Sequence, residues 1–170
     1  MDLTLTKPQA RKIILHAAGL TKPAQFGKGR EAAYKVIDHL GFIQVDINYA
    51  VERAHHHAIA SRVPDYKTEW LEELQTDARV FEFQGYFLGY IPMHDYRFTL
   101  PVHEYFISRR KKISQAEKNL MERVLDRISR DGPLMSKDFE NDPIGSGGGW
   151  NYGPTRVALD RLAQDGELIA

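Results

Sequence analysis

The chain has 170 residues, with 23 basic and 23 acidic side chains, no cysteine and 42% hydrophobic residues. This composition excludes a disordered tail, a coiled coil and a disulfide scaffold, and a net charge of zero gives no overall attraction to nucleic acid. No run of eighteen apolar residues exists and the N-terminus lacks an apolar signal segment, so we expect a cytoplasmic protein without a membrane span. A globular protein of one domain or two small ones follows.

The first part of the chain predicts two helices and a strand. Thr6 and Gln9 form a capping-box pair that begins a helix with apolar side chains on one face, and Gly19 ends it. A second helix is predicted over 31–39. Residues 42–47 then change period from 3.6 to 2, which indicates a strand. Two helices followed by a strand are compatible with a helix-turn-helix unit.

The middle of the chain is rich in aromatic residues. After Pro64, Thr68 is expected to be the N-cap of a short helix. The aromatic segment 80–91 predicts a strand or buried irregular structure. A helix over 96–106 is expected to follow, although Pro101 argues against it.

The basic run 109–112 is the predicted boundary between two units, 1–108 and 109–170. Directly after it, Ser114 begins an amphipathic helix that Gly132 ends.

The last part predicts a short helix at 136–140, a glycine-rich loop at 145–150, a helix over 154–164 and the start of a strand at 167–170. Three helices leading into a strand are typical of a winged helix, whose hairpin wing would come next. We therefore expect the second unit to stop before its wing.

The alternation within residues 42–47 sends Gln44 and Asp46 to the same side of the predicted strand. Their Cα atoms are then about 6.5–7 Å apart. An amide and a carboxylate at that spacing could hold one water between them. On spacing alone, a strand with one wet face, or Asp46 as the cap of the next helix, is favoured over a catalytic pair.

A basic segment follows the strand, and it contains Arg53, the histidines His55, His56 and His57, and Arg62. In a helix, successive side chains diverge by about 100°, so the three histidines cannot converge on one metal ion. Without cysteine or an HExxH motif, we expect no metal and no cofactor. The side chains could donate to phosphates or to a displaced base, but the residues alone favour a polar surface segment.

The glycine-rich loop lacks the Gly-Lys-Ser/Thr of a nucleotide-binding loop. It could bring the backbone close to a phosphate, with Trp150 stacking or wedging, and a flexible connector with Trp150 in the core is an equal alternative. Arg156 and Arg161 are candidates to face a DNA groove if the last helix is a recognition helix. The run 109–112 is more typical of a solvated linker.

Six separated strings, in one order, carry a resemblance to a known family. They are Gly41–Asp46, Val51–His57, Ser61–Tyr66, Val80–Phe83, Tyr90–Arg97, and Gly132–Leu134 with Asp138–Phe139. Together they resemble the winged-helix DNA glycosylases of the AlkZ/YcaQ type over nearly the whole chain. Each string is weak alone, but their number and order make the resemblance specific.

The resemblance implies an α+β protein of tandem winged-helix units, mostly helical with short strands. The family's active site is marked by Gln-x-Gln or Gln-x-Asp, so Gln44 and Asp46 imply the Gln-x-Asp, YcaQ-like branch. That branch implies hydrolytic excision of N7-alkylguanine from double-stranded DNA and unhooking of interstrand crosslinks in base excision repair.

Within that resemblance, Asp46 is expected to activate water and stabilise the sugar cation, while Gln44 orients the water or the sugar. The residues expected to contact DNA are Arg53, His55, His56, His57, Arg62, Trp150, Arg156 and Arg161. Members of this family are longer, so we expect this chain to be an N-terminal portion. Its expected partner is the C-terminal half of the same protein. We expect the protein to be associated with the nucleoid. A non-catalytic winged-helix DNA-binding module and an inactive fragment are the alternatives.

Overall fold

The computed structural model describes residues 4–46, 49–139 and 153–169. Over these ranges the chain is mostly helical with a small three-stranded antiparallel sheet, which confirms the α+β class. The chain divides into two compact units, Met1–Thr99 and Leu100–Ile169. The sequence predicted the boundary after residue 108, and so assigned residues 100–108 to the first unit. Their identity as tandem winged helices stays a prediction.

The elements of the first unit are α1 (Lys7–Ala17), α2 (Gly29–Leu40), β1 (Ile43–Gln44), α3 (Ala54–Ala60), α4 (Glu69–Thr76), β2 (Val80–Gln84) and β3 (Leu88–Pro92). The sheet has the order β1-β3-β2, with both strand pairs antiparallel. A 3₁₀ helix, Met93–Phe98, follows the last strand. The aromatic segment 80–91 is therefore a β-hairpin.

Helix α2 lies at the centre of the first core, as its apolar spacing predicted. It buries one face, and Gly41 ends it in the left-handed conformation at φ 70°. The buried side chains around it come from α3, α4 and the three strands; the core comprises Ala32, Ala33, Val36, Ile37, Ile43, Ile59, Val63, Leu71, Leu74, Val80 and Tyr90. Because β1 and α3 both contribute to this core, the chain is anchored where it leaves β1 and where it enters α3.

Helix α1 has the predicted start but not a buried face. The Thr6 side chain accepts from the Gln9 N–H, and the Gln9 side chain accepts from the Thr6 N–H, so the capping box is confirmed. Its apolar side chains are uncovered, with Ile13 54% and Ile14 66% exposed. Periodicity reports which side chains share a face, whereas burial depends on what lies opposite that face.

Strand β1 is shorter than the predicted 42–47. Regular pairing covers two residues, and the Val45 N–H then donates to the Leu88 carbonyl over 2.9 Å. The predicted alternation is confirmed where the structure describes it, because Ile43 is buried, Val45 packs against the core and Gln44 is exposed. The strand therefore directs alternate side chains as expected, even though its ladder is short.

The second unit contains α5 (Leu100–Arg109), α6 (Gln115–Asp131), a 3₁₀ helix (Ser136–Phe139) and α7 (Pro154–Gln164). Pro101 lies in the first turn of α5, where a missing N–H costs nothing, so the helix forms despite it. Helix α6 begins after Ser114 as predicted, and Ser114 forms a capping box with Glu117. Val124, Phe139, Ala158 and Leu162 form the core of this unit.

Three further expectations concern the second unit. Arg110, within the predicted linker, donates to both carboxylate oxygens of Asp165, so one residue of the basic run is anchored. Residues 167–169 pair with no described strand, so the strand predicted there is wrong over those positions. The glycine-rich loop 145–150 lies outside the described residues.

None of the helices that the structure describes has the length and apolar character that a membrane span requires.

Candidate functional site

A cavity of about 250 Å³ opens beside the end of β1. It is lined by Leu40, Phe42, Ile43, Gln44, Asp46, Ala54, His55 and Ala58. Three of the residues singled out from the sequence, Gln44, Asp46 and His55, therefore meet in one place. The other walls are apolar, and the cavity is open to solvent where Gln44 lies.

Gln44 is held at the edge of the sheet. It lies opposite Gly89 of β3, and its side chain is exposed. Asp46 is two residues further along on the same side, and it is half-buried. An exposed amide and a half-buried carboxylate on one side of a strand end provide one donor–acceptor group and one negative charge for the same small ligand.

His55 lies in the first turn of α3 and is 3% exposed. Its Nδ1 accepts from the backbone N–H of Asp46 over 3.5 Å, which leaves the ring proton on Nε2. Burial, with smaller contributions from His56 and Arg53, lowers the pKa of His55 to about 4. The imidazole is therefore neutral at neutral pH and acts as a hydrogen-bond acceptor beside Asp46.

The three histidines do not all face one point, although the rings of His55 and His56 are in contact with centroids 4.3 Å apart. His56 is half-buried, and its Nδ1 is hydrogen-bonded to the Tyr66 hydroxyl over 2.8 Å. Burial lowers the pKa of His56, while His57 is exposed to solvent. Each of the three consecutive residues thus has a different environment. Over the described residues, no group of three His, Cys, Asp or Glu side chains could hold a metal ion.

Phe42 is a wall of the cavity that the sequence did not single out as a site residue. A Cβ at Gly89 would lie 2.3 Å from the Phe42 ring, so the ring is seated directly on the glycine backbone. Glycine inside a strand indicates a close approach of this kind, and that signal was present in the sequence. Phe42 is on the same side of β1 as Gln44 and Asp46, and it is 38% exposed.

Two of the predicted DNA-binding arginines have different surroundings. The Arg53 side chain is exposed at the N-cap of α3. Arg62 is half-buried, and its guanidinium donates to the carbonyls of Ala18 and Ala58 over 2.7 and 2.6 Å. Burial lowers the pKa of Arg62. Arg62 therefore joins the segment after α1 to α3, a supporting role that the sequence did not indicate.

The arginines of α7 are both ion-paired. Arg156 Nε is 3.0 Å from Asp160, and Arg161 Nη1 is 2.6 Å from Glu117. The Ser114 backbone N–H and Arg161 hold the pKa of Glu117 down to about 2. Both guanidiniums are within reach of solvent, but each already has a carboxylate. Trp150 lies outside the described residues.

The cavity therefore brings together an amide, a carboxylate and a neutral histidine on an α+β scaffold. Residues 37–170 match the model of a family described as DNA glycosylase AlkZ-like. Because the match covers most of the chain, this protein belongs to the AlkZ-like DNA glycosylase family. No solved structure matches the chain. The resemblance drawn from Gly41–Asp46 and the other strings is therefore confirmed at the level of the family.

Proposed function

We propose that this protein hydrolyses the N-glycosidic bond of N7-alkylated guanine in double-stranded DNA, and that it unhooks interstrand crosslinks made through that nitrogen. The observation that carries the proposal is the meeting of Gln44, Asp46 and His55 in one cavity. The family supplies the class of reaction, and the residues of the cavity supply the groups that such a reaction needs.

The chemistry asks little of a general acid. Alkylation at N7 makes guanine cationic, so breaking the bond between C1′ and N9 releases a neutral base that keeps the bonding electron pair. The sugar becomes cationic as the base departs, and water adds to C1′ while its proton passes to a base. A carboxylate serves both steps, and we assign Asp46 to them.

Gln44 is assigned to orientation of the water or the sugar. Its neutral amide can accept from water and donate to an oxygen, and it adds no second negative charge beside Asp46. A second carboxylate there would raise the pKa of the first and weaken its electrostatic effect. The neutral state of His55 has the same benefit, because a cation at that position would compete for the Asp46 carboxylate.

An open site suits a crosslinked substrate. A guanine tied to the opposite strand cannot rotate fully into an enclosed pocket, whereas Gln44 is exposed at the mouth of this cavity. Contacts to the DNA backbone are assigned to Arg53 and His57, whose side chains are exposed.

The test is release of N7-methylguanine from alkylated duplex DNA by the unaltered protein and by Asp46→Asn. We expect release by the first and a loss of roughly 100-fold or more in the second, because one preorganised charge is removed from the reaction. Asp38→Asn is the matched control, because Asp38 is an exposed carboxylate of α2 that pairs with His94 and does not line the cavity. DNA binding without release in any of the three proteins would instead support a non-catalytic DNA-binding module.

A further inference from the structure

The tip of the β2–β3 hairpin carries the most exposed aromatic pair of the described residues. Tyr86 is 92% exposed and Phe87 is 52% exposed, and the two rings meet edge to face with centroids 4.7 Å apart. The Gly85 N–H donates to the Phe87 carbonyl over 3.2 Å, which closes the turn beneath them. Two large apolar rings kept in water in this way indicate a contact surface rather than a core.

The hairpin tip is adjacent to the proposed catalytic strand. The Val45 N–H donates to the Leu88 carbonyl over 2.9 Å, so these residues pair across β1 and β3. Asp46 is the residue after Val45 and Phe87 is the residue before Leu88. Because the strands are antiparallel, both lead away from the pairing in the same direction. The aromatic tip therefore begins one strand spacing, about 4.8 Å, from the chain that carries Asp46.

We propose that Tyr86 and Phe87 form a wedge that enters the base stack of the substrate DNA next to the lesion. The inference rests on the proposed function and deepens it. The two rings are perpendicular, so the more exposed Tyr86 ring can occupy the space left by a displaced guanine and stack on its neighbours, while Phe87 supports it from the edge. The edge-to-face contact with Phe87 and the closed turn restrict the Tyr86 ring, which reduces the side-chain entropy lost on insertion.

The structure offers a second exposed apolar surface in the same unit, on α1, which serves as a comparison. Ile14 of that helix is 66% exposed, yet α1 shares no strand pairing with β1. The position of the hairpin tip relative to Asp46, rather than its exposure alone, selects DNA as the partner.

The experiment places 2-aminopurine, which fluoresces when unstacked, beside N7-methylguanine in a duplex. The double variant Tyr86→Ser/Phe87→Ser is compared with the unaltered protein and with Ile14→Ser as a matched loss of exposed apolar area. We expect the fluorescence rise on binding to be lost only in the hairpin variant, and base release from the duplex to fall roughly 10- to 100-fold. Thermal unfolding should be unchanged, since neither ring is buried.

Single-stranded DNA bearing the same lesion separates wedging from a general effect on the site. No base pair or intact stack has to be opened there, so the hairpin variant should release the base as fast as the unaltered protein. Equal losses on both substrates, or unchanged release from the duplex, would overturn the wedge; the latter outcome would assign the tip to a protein surface. Absence of release by the unaltered protein on both substrates would instead refute the proposed function, and the wedge with it.

Discussion

The backbone nitrogen of Asp46 and Nδ1 of His55 lie 3.5 Å apart, with the N–H of the first directed at the lone pair of the second. This contact joins the second residue after β1 to the first turn of α3. A buried histidine fixes the backbone without bringing a positive charge to the carboxylate, because its pKa is lowered to about 4. The contact therefore holds the backbone of Asp46 without placing a cation beside its side chain.

Substitution of His55 tests whether it positions Asp46. Asn places an acceptor oxygen close to the location of Nδ1, whereas Gln places it close to that of Nε2. We expect His55→Asn to retain most of the base release and His55→Gln to be about 100-fold slower, the effect of a displacement of about 1 Å in a reacting group. Single-turnover kinetics on N7-methylated duplex DNA measures both rates.

Circular dichroism of the two His55 variants is the control for folding. Equal losses of release by Asn and Gln in two folded proteins would contradict the positioning role, because only one of them conserves the acceptor.

Stability should fall in mild acid because of the buried histidine. The unfolded chain binds a proton at His55 near the ordinary value of 6.5, whereas the folded chain does so only at about pH 4. The free energy of unfolding therefore decreases as the pH falls from 6.5 toward 4, by up to about 1.4 kcal/mol per pH unit, and is unaffected by this group above 6.5. Urea unfolding at a series of pH values gives the slope.

His55→Asn removes the titrating group, so its unfolding free energy should depend less on pH over the same interval. His57→Asn provides the matched control, because His57 is exposed. If both variants kept the original dependence of the unfolding free energy on pH, burial of His55 would not be the source of that dependence.

Gly89 should be intolerant of any side chain. The Cβ of Gly89→Ala would lie 2.3 Å from the Phe42 ring and 2.9 Å from the Ile43 carbonyl, so the ring must move away from the backbone of residue 89. We expect a loss of about 1–3 kcal/mol in the free energy of unfolding, together with slower base release, since Phe42 lines the cavity.

Gly41→Ala is the comparison for the effect of a methyl group. Gly41 has space around it but a φ of 70°, so the substitution costs about 1–2 kcal/mol through the backbone alone. Both variants should lose stability, and only Gly89→Ala should lose activity at a temperature where both are folded. An active Gly89→Ala protein would show that the Phe42 ring does not shape the site.

Substitution of Arg62 by Gln should affect stability, whereas substitution of Arg53 by Gln should affect DNA binding. Arg62→Gln loses the donors to Ala18 and Ala58, so the free energy of unfolding should fall by about 1–3 kcal/mol. Arg53→Gln should change stability by less than about 0.5 kcal/mol, because the side chain is exposed.

Duplex binding at several salt concentrations completes the comparison of the two arginines. The slope of log K against log salt should become shallower by about one for Arg53→Gln and stay the same for folded Arg62→Gln. A shallower slope for Arg62→Gln would return Arg62 to the set of phosphate contacts.

Local chemistry explains why much of the fold was predictable from the sequence. The capping boxes at Thr6 and Ser114, the bounds of α7 and the face of α2 each depend on residues within one or two turns. The length of β1 could not be predicted, because it depends on how far β3, more than forty residues later, stays in register. The exposure of α1 is a tertiary property of the same kind.

The site was predictable in part for the same reason. Alternation along a short strand directed Gln44 and Asp46 to one side, but it carried no information about α3, which supplies His55. The supporting role of Arg62 depends on a carbonyl 44 positions earlier, so no local pattern could indicate it.

The paired arginines of α7 give the second unit an internal set of counterions. If Arg161 and Arg156 contact DNA phosphates as the sequence predicts, Arg161 has to release the Glu117 carboxylate and Arg156 has to release the Asp160 carboxylate. Each exchange substitutes one ion pair for another, so the net gain from adding a phosphate is small.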